Sequence, residues 1–226
     1  MSKKTNREEI MKQSNEIFTD VLDAIENASS MNLEGFNPED TAIVVVDMVK
    51  GFAEKGALYS PRIESLIEPI KELLKKAKEN KFTKLFIMEN HEEDSIEFKI
   101  YPKHCVKDTQ EAELVEEFKE YVEDSNEIIY KNSTNGFLEK AFKKWLEKNL
   151  HIKNFILVGD CTDICVEYFA VTLKNYMNME NQECEIIVPT NAVDTFDVQG
   201  HPAEFMNVLG LFNMMRNGVK IIKEII

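Results

Sequence analysis

The sequence predicts a three-layer α/β/α fold, with a six-stranded parallel sheet over residues 41–226 and a helical extension over residues 1–40. Three observations predict it. Short apolar runs such as TAIVVV (41–46) and NFILV (154–158) lack in–out alternation, as expected of strands covered on both faces. Segments of helical period alternate with those runs, the order that produces a parallel sheet. Polar side chains gather just after several of the runs, where open α/β sheets hold their ligands.

The elements follow in order. Residues 8–27 place Ile10, Met11, Ile17, Phe18, Val21, Leu22 and Ile25 at helical spacing. That helix is expected to pack on the main body or on a second subunit, and a homo-oligomer is expected. Residues 28–40 contain Ser, Asn, Gly and Pro and read as a loop. The first strand is 41–46, and Pro61 opens a helical pattern that runs to residue 80. A second strand covers 84–89 and is followed by an irregular stretch from 90 to 108. Then come a helix (111–122), a third strand (127–130) and a helix (138–150). The fourth strand (154–158), a helix (164–177), the fifth strand (185–188), a helix (202–217) and the sixth strand (219–222) complete the pattern.

Composition narrows the function classes. Lys and Arg number 27 against 41 Asp and Glu, a formal net charge of −14. A chain this acidic is a poor match for the phosphate backbone of nucleic acid, which needs cationic side chains to displace counterions, and for anionic lipid. No apolar run reaches the length of a membrane helix. The first residues, MSKKTNREEIMKQSNE, lack the apolar core of a secretory signal, so a cytoplasmic location is expected. There Cys105, Cys161, Cys165 and Cys184 should remain reduced.

Asp47 follows the first strand, Glu89 and His91 the second, Lys131 the third, and GDCTDICV (159–166) the fourth. Taken singly, each has an ordinary alternative. Asp47 could cap a turn, Lys131 could be a solvated lysine, and Cys165 a small buried apolar residue. Thr162 or Asp163 is a natural helix N-cap. Cys165 would then fall in a first turn, where the dipole and free N–H groups favour a thiolate. Beside Asp47 and Lys131 such a thiolate would be a nucleophile with a proton carrier and an electrostatic partner. The loop after the second strand offers Glu89, His91, Glu97 and His104. Imidazole with carboxylate suits zinc, iron or manganese; the ordinary alternative is an acidic solvated loop.

Four segments carry a family resemblance: the strand ending in Asp47 with Phe52 five residues later, HEEDSIEFKIYPKHCVKDT (91–109), YKNSTNGF (130–137) and GDCTDICV (159–166). Over about residues 41–222 the chain resembles the isochorismatase-like cysteine hydrolases, which have a Rossmann-like fold, and within them the nicotinamidases. The resemblance implies a catalytic triad of Asp47, Lys131 and Cys165, a cis peptide bond between Asp160 and Cys161, and an oxyanion hole from the amides of Cys161 and Cys165. It also implies a divalent metal, zinc before iron or manganese, at His91, His104, Glu97 and Glu89. Glu89 stands where the family carries aspartate and is one methylene longer. Phe52, Tyr101 and Phe137 match positions that line the family's aromatic slot; their alternative is core packing. The implied activity is hydrolysis of a small amide through a thioester, nicotinamide to nicotinate and ammonia. Two alternatives stand beside it: hydrolysis of another small amide, ureide or carbamoyl compound, and a non-catalytic member that binds a partner.

Overall fold

All six residues of β1 (Thr41–Val46) are buried, and successive side chains enter two different cores. In the computed structural model, which describes residues 6–226, Ile43 and Val45 face one core and Ala42, Val44 and Val46 the other. This two-sided burial is why the run shows no polar alternation. The sheet also contains β2 (Thr83–Glu89), β3 (Ile128–Lys131), β4 (Asn154–Asp160), β5 (Glu185–Pro189), β6 (Val193–Asp194) and β7 (Lys220–Ile222). Their order is β3-β2-β1-β4-β5-β7, with β6 beside β4, and every pairing is parallel.

The helices form the outer layers. The first core is closed by α2 (Lys50–Ala53), α3 (Pro61–Glu64) and α4 (Ile67–Glu79), the last through Ile70, Leu73, Leu74 and Ala77. The second core is closed by α5 (Lys140–Lys148), α6 (Glu167–Met179) and α7 (Ala203–Arg216), through residues such as Phe142, Phe169, Leu173 and Met214. The N-terminal helix α1 (Arg7–Glu26) is capped by Asn6, whose side chain accepts a hydrogen bond from Glu9 N. It buries only Val21 and sets Phe18 against Phe205 of α7, with ring centroids 5.1 Å apart. Among the described residues, no helix is long and apolar enough to cross a membrane.

Three local expectations are corrected. Residues 111–122 form no α-helix; two 3-10 turns, Gln110–Ala112 and Glu116–Tyr121, stand there. The backbone between them pairs with the segment after β1: Lys50 N donates to Glu113 O, and Val115 N to Met48 O. A helix would need those same groups internally. The pattern from Pro61 breaks at Ser65, whose hydroxyl donates to Arg62 O at 2.6 Å. The sheet gains β6, too short at two residues to register as a pattern.

The chain runs from β1 outward to β2 and β3, then returns to place β4 on the other side of β1. Beyond the carboxyl ends of β1 and β4, loops diverge in opposite directions. That opening is where an open α/β sheet accepts a ligand.

Candidate active site

Asp47 is the first residue after β1, and its backbone is in the left-handed region (φ 54°). Aspartate tolerates that conformation better than most side chains. Asp47 N donates to Ile87 O at 2.8 Å, which ties the turn to β2. On the other side, Gly159 has φ 112°, and a Cβ there would lie 2.0 Å from Val46 O. Glycine thus lets β4 run close against the end of β1 and deliver the following turn beside Asp47. The Asp160–Cys161 peptide bond is cis. Residues Thr162–Val166 form a π-helical turn that leads into α6, and Cys165 lies in it.

Lys131 ends β3, in register with Glu89 at the end of β2. Its Nζ lies 2.9 Å from Asp47 Oδ2, 2.8 Å from Glu89 Oε1 and 3.7 Å from Cys165 Sγ. Asp47, Glu89 and Lys131 are all buried. Burial disfavours the lysine's charge, but Asp47, Cys165 and Glu89 outweigh it and hold its pKa well above the ordinary value. Burial pushes the Asp47 carboxyl up to about 6, with Lys131 opposing and Glu89 adding to the rise. Glu89 differs: burial raises it, yet Lys131 and the two histidines carry its pKa well below the usual carboxylate range.

Cys165 departs from expectation. Burial pushes its thiol well up despite the attraction of Lys131, the direction opposite to that expected of a cysteine in a first helical turn. Neither Thr162 nor Asp163 caps that start. Cys161 stands at the boundary with no side-chain cap, and the Asp163 carboxylate is engaged by His201 instead.

Glu89, His91, Glu97 and His104 each offer a ligand atom, all within 4.8 Å of one another. His104 Nδ1 lies 2.6 Å from Pro102 O, and His91 Nδ1 lies 3.0 Å from Asn132 Oδ1. With protons on the Nδ1 atoms, both Nε2 lone pairs point inward, each 3.3 Å from a Glu89 oxygen. Lone pairs aimed at a carboxylate repel unless something positive lies between. His91 Nε2 and Glu97 Oε1 are also buried without a hydrogen-bond partner. The donor set therefore fits a divalent cation of the zinc, iron or manganese kind.

Beside both groups lies a pocket enclosing about 440 Å³, part of it open to solvent, lined by Phe52, Tyr101, Glu97, His104, Cys161 and Cys165 among others. Phe137 is not among them. It is buried in the second core against Phe142 and Tyr176, at centroid distances of 5.4 and 5.3 Å. Its expected place on the pocket wall is corrected. Phe196, which sequence reasoning did not single out, lines the pocket, as do Leu58, Ile63, Thr134 and Ile164. Phe196 sits in an aperiodic loop, and its aromatic character was the only available signal.

Residues 41–217 match the isochorismatase domain family. The chain belongs to that family. Nicotinamidase 1 of Arabidopsis thaliana is 29% identical over 211 residues, covering 81% of this chain and 85% of its own length. The nicotinamidase of Bacillus subtilis superposes with a TM-score of 0.66 at 26% identity, over 81% of this chain and 99% of its own. The pyrazinamidase of Pyrococcus horikoshii in complex with zinc gives 0.65 at 26%, with the same coverage.

Proposed function

We propose that the protein hydrolyses a small amide, nicotinamide to nicotinate and ammonia, through a thioester on Cys165. The observation that carries this reading is Lys131 Nζ, buried within 2.9 Å of Asp47 Oδ2 and 3.7 Å of Cys165 Sγ, the sulfur itself lining the pocket. The names and similarity of the relatives support the choice of substrate.

Asp47, ionised near neutral pH, takes the proton of Cys165 as the sulfur attacks the amide carbonyl. Lys131 holds carboxylate and sulfur together and stabilises the negative charge passing between them. The amides of Cys161 and Cys165 receive the developing oxyanion. Asp47 then returns its proton to the departing ammonia, takes another from the water that cleaves the thioester and passes it to the released Cys165 sulfur. Phe52 and Tyr101 flank the ring and restrict its orientation. A divalent ion held by Glu89, His91, Glu97 and His104 would supply Lewis acidity toward a pyridine-nitrogen lone pair.

The test is ammonia release from nicotinamide and pyrazinamide by metal-loaded protein. Release is expected from both, and Cys165→Ala should abolish it. No ammonia from either would overturn the reading. Faster release from another amide, ureide or carbamoyl compound would shift the substrate within the same chemistry.

A further inference from the structure

Phe196, on the pocket wall, is joined to the nucleophile turn through the His201 side chain. The His201 ring stacks on Phe196 with centroids 4.0 Å apart and planes 10° from parallel. Its Nδ1 lies 2.9 Å from Phe196 O, and its Nε2 lies 2.9 Å from Asp163 Oδ2. Asp163 is two residues before Cys165, in the same π-helical turn. The loop is closed on itself by paired backbone bonds between Val198 and His201. At its two ends, Arg62 bonds Asp194 of β6 and Glu204 of α7. Beneath it, α7 lies directly on the turn: a Cβ on Gly210 would come 2.7 Å from Asp163 Cα.

We propose that His201 is a positioning residue: it straps Phe196, on the wall facing a substrate ring, to Asp163 in the turn that bears Cys165, and so holds the Phe196 ring in place. This deepens the amidase reading and rests on it in one respect, that a ring-bearing compound occupies the pocket. Both ring nitrogens of His201 face oxygen acceptors, a carbonyl and a carboxylate. A neutral imidazole has one N–H and can donate to only one of them. In Asp163→Asn, with the ring N–H on Nδ1 toward Phe196 O, the side-chain amide can donate to Nε2, and the strap is retained. Asp163→Ala and His201→Ala leave no such bond.

The experiment follows iodoacetamide alkylation of Cys165 by peptide mass, with and without pyridine-3-carboxaldehyde as a ring-bearing protectant. The alkylation rate alone reports the nucleophile and needs no turnover. His201→Ala and Asp163→Ala should leave that rate within about twofold and raise the protecting concentration about tenfold, the scale of one lost aromatic contact. Asp163→Asn should protect as the wild type does, and Phe196→Leu should resemble His201→Ala. Unchanged protection in the alanine variants overturns the strap. So does an equal loss in Asp163→Asn, which would mean that the turn itself had been damaged, and so does absence of protection in the wild type. Nicotinamide turnover measured alongside separates the two readings: a wild type that releases ammonia while its alanine variants protect normally refutes only the strap. Should His201→Ala fail to fold, the Asp163 pair carries the test.

Discussion

Glu89 Oε1 lies 2.8 Å from Lys131 Nζ and 3.3 Å from His91 Nε2, so one carboxylate oxygen is shared between the buried ammonium and a histidine. Its companion Oε2 faces His104 Nε2 at 3.3 Å. This one side chain thus joins the Asp47–Lys131–Cys165 group to the histidine pair.

Glu89→Gln keeps the shape and removes the charge. Metal affinity should fall about 10- to 100-fold, as when a ligand or its direct support is altered, and ammonia release should fall with it. Glu89→Ala also strips a buried partner from Lys131, which typically costs about 3–5 kcal/mol. Metal content by elemental analysis and thermal unfolding check both. A Glu89→Gln protein with full metal and wild-type turnover would show that the oxygen is shared in geometry only.

In the proposed mechanism the Asp47 carboxyl, raised to about 6 chiefly by burial, should set the acid limb of activity. As a base it works only when ionised, so kcat/KM for nicotinamide should fall as pH drops below about 6. The effect on stability has the opposite sense. A carboxyl whose folded pKa exceeds its unfolded value of 3.8 favours folding when protonated, and that contribution is lost as pH rises through about 6. Asp47→Asn should therefore lose activity by about 100- to 10,000-fold and also lose this part of the stability–pH slope. A pH–rate profile and melting curves across the same range check it.

Gly210 tests how tightly the nucleophile turn is held. In Gly210→Ala the new methyl would meet Asp163 Cα at 2.7 Å and Asp163 N at 3.1 Å, backbone atoms that must move. A loss of about 1–3 kcal/mol is expected, as for other overpacked sites, together with a lower kcat. Gly35→Ala has nothing within 4 Å and should stay within about 0.5 kcal/mol. Thermal unfolding of the two variants side by side decides it.

Phe137 and Phe52 should separate stability from binding. Phe137→Ala should cost about 3–5 kcal/mol as a core truncation, while the milder Phe137→Leu leaves KM unchanged. Phe52 lines the pocket and is also buried in the first core, so Phe52→Leu should raise KM and lower stability by about 1 kcal/mol. Steady-state kinetics with melting curves would reveal a shared effect if Phe137 touched substrate.

The contrast between those phenylalanines shows what the sequence makes legible. β1, β2 and β4 are readable because burial on both faces leaves unbroken apolar runs, and the ends of strands then locate Asp47, Glu89 and Lys131. A strand end fixes direction as well as position. Phe137 lies six residues past Lys131, in a 3-10 turn, and its ring points into the second core; no periodicity records that choice. Phe196 and His201 are joined to the turn at Asp163 by side-chain contacts across more than thirty residues of chain, which no local pattern encodes. Residues 111–122 fail for a related reason: their helical period is real, but Met48 and Lys50 claim the backbone bonds a helix would need.

Lys131 is the last residue of β3, the four-residue strand at one margin of the sheet, with β2 as its single neighbour. A marginal strand frays more readily than a central one. The ammonium to which the proposed mechanism gives its central place thus hangs from the segment easiest to peel away. On warming, turnover should disappear while most of the molecule is still folded, and heat inactivation should precede the main calorimetric transition.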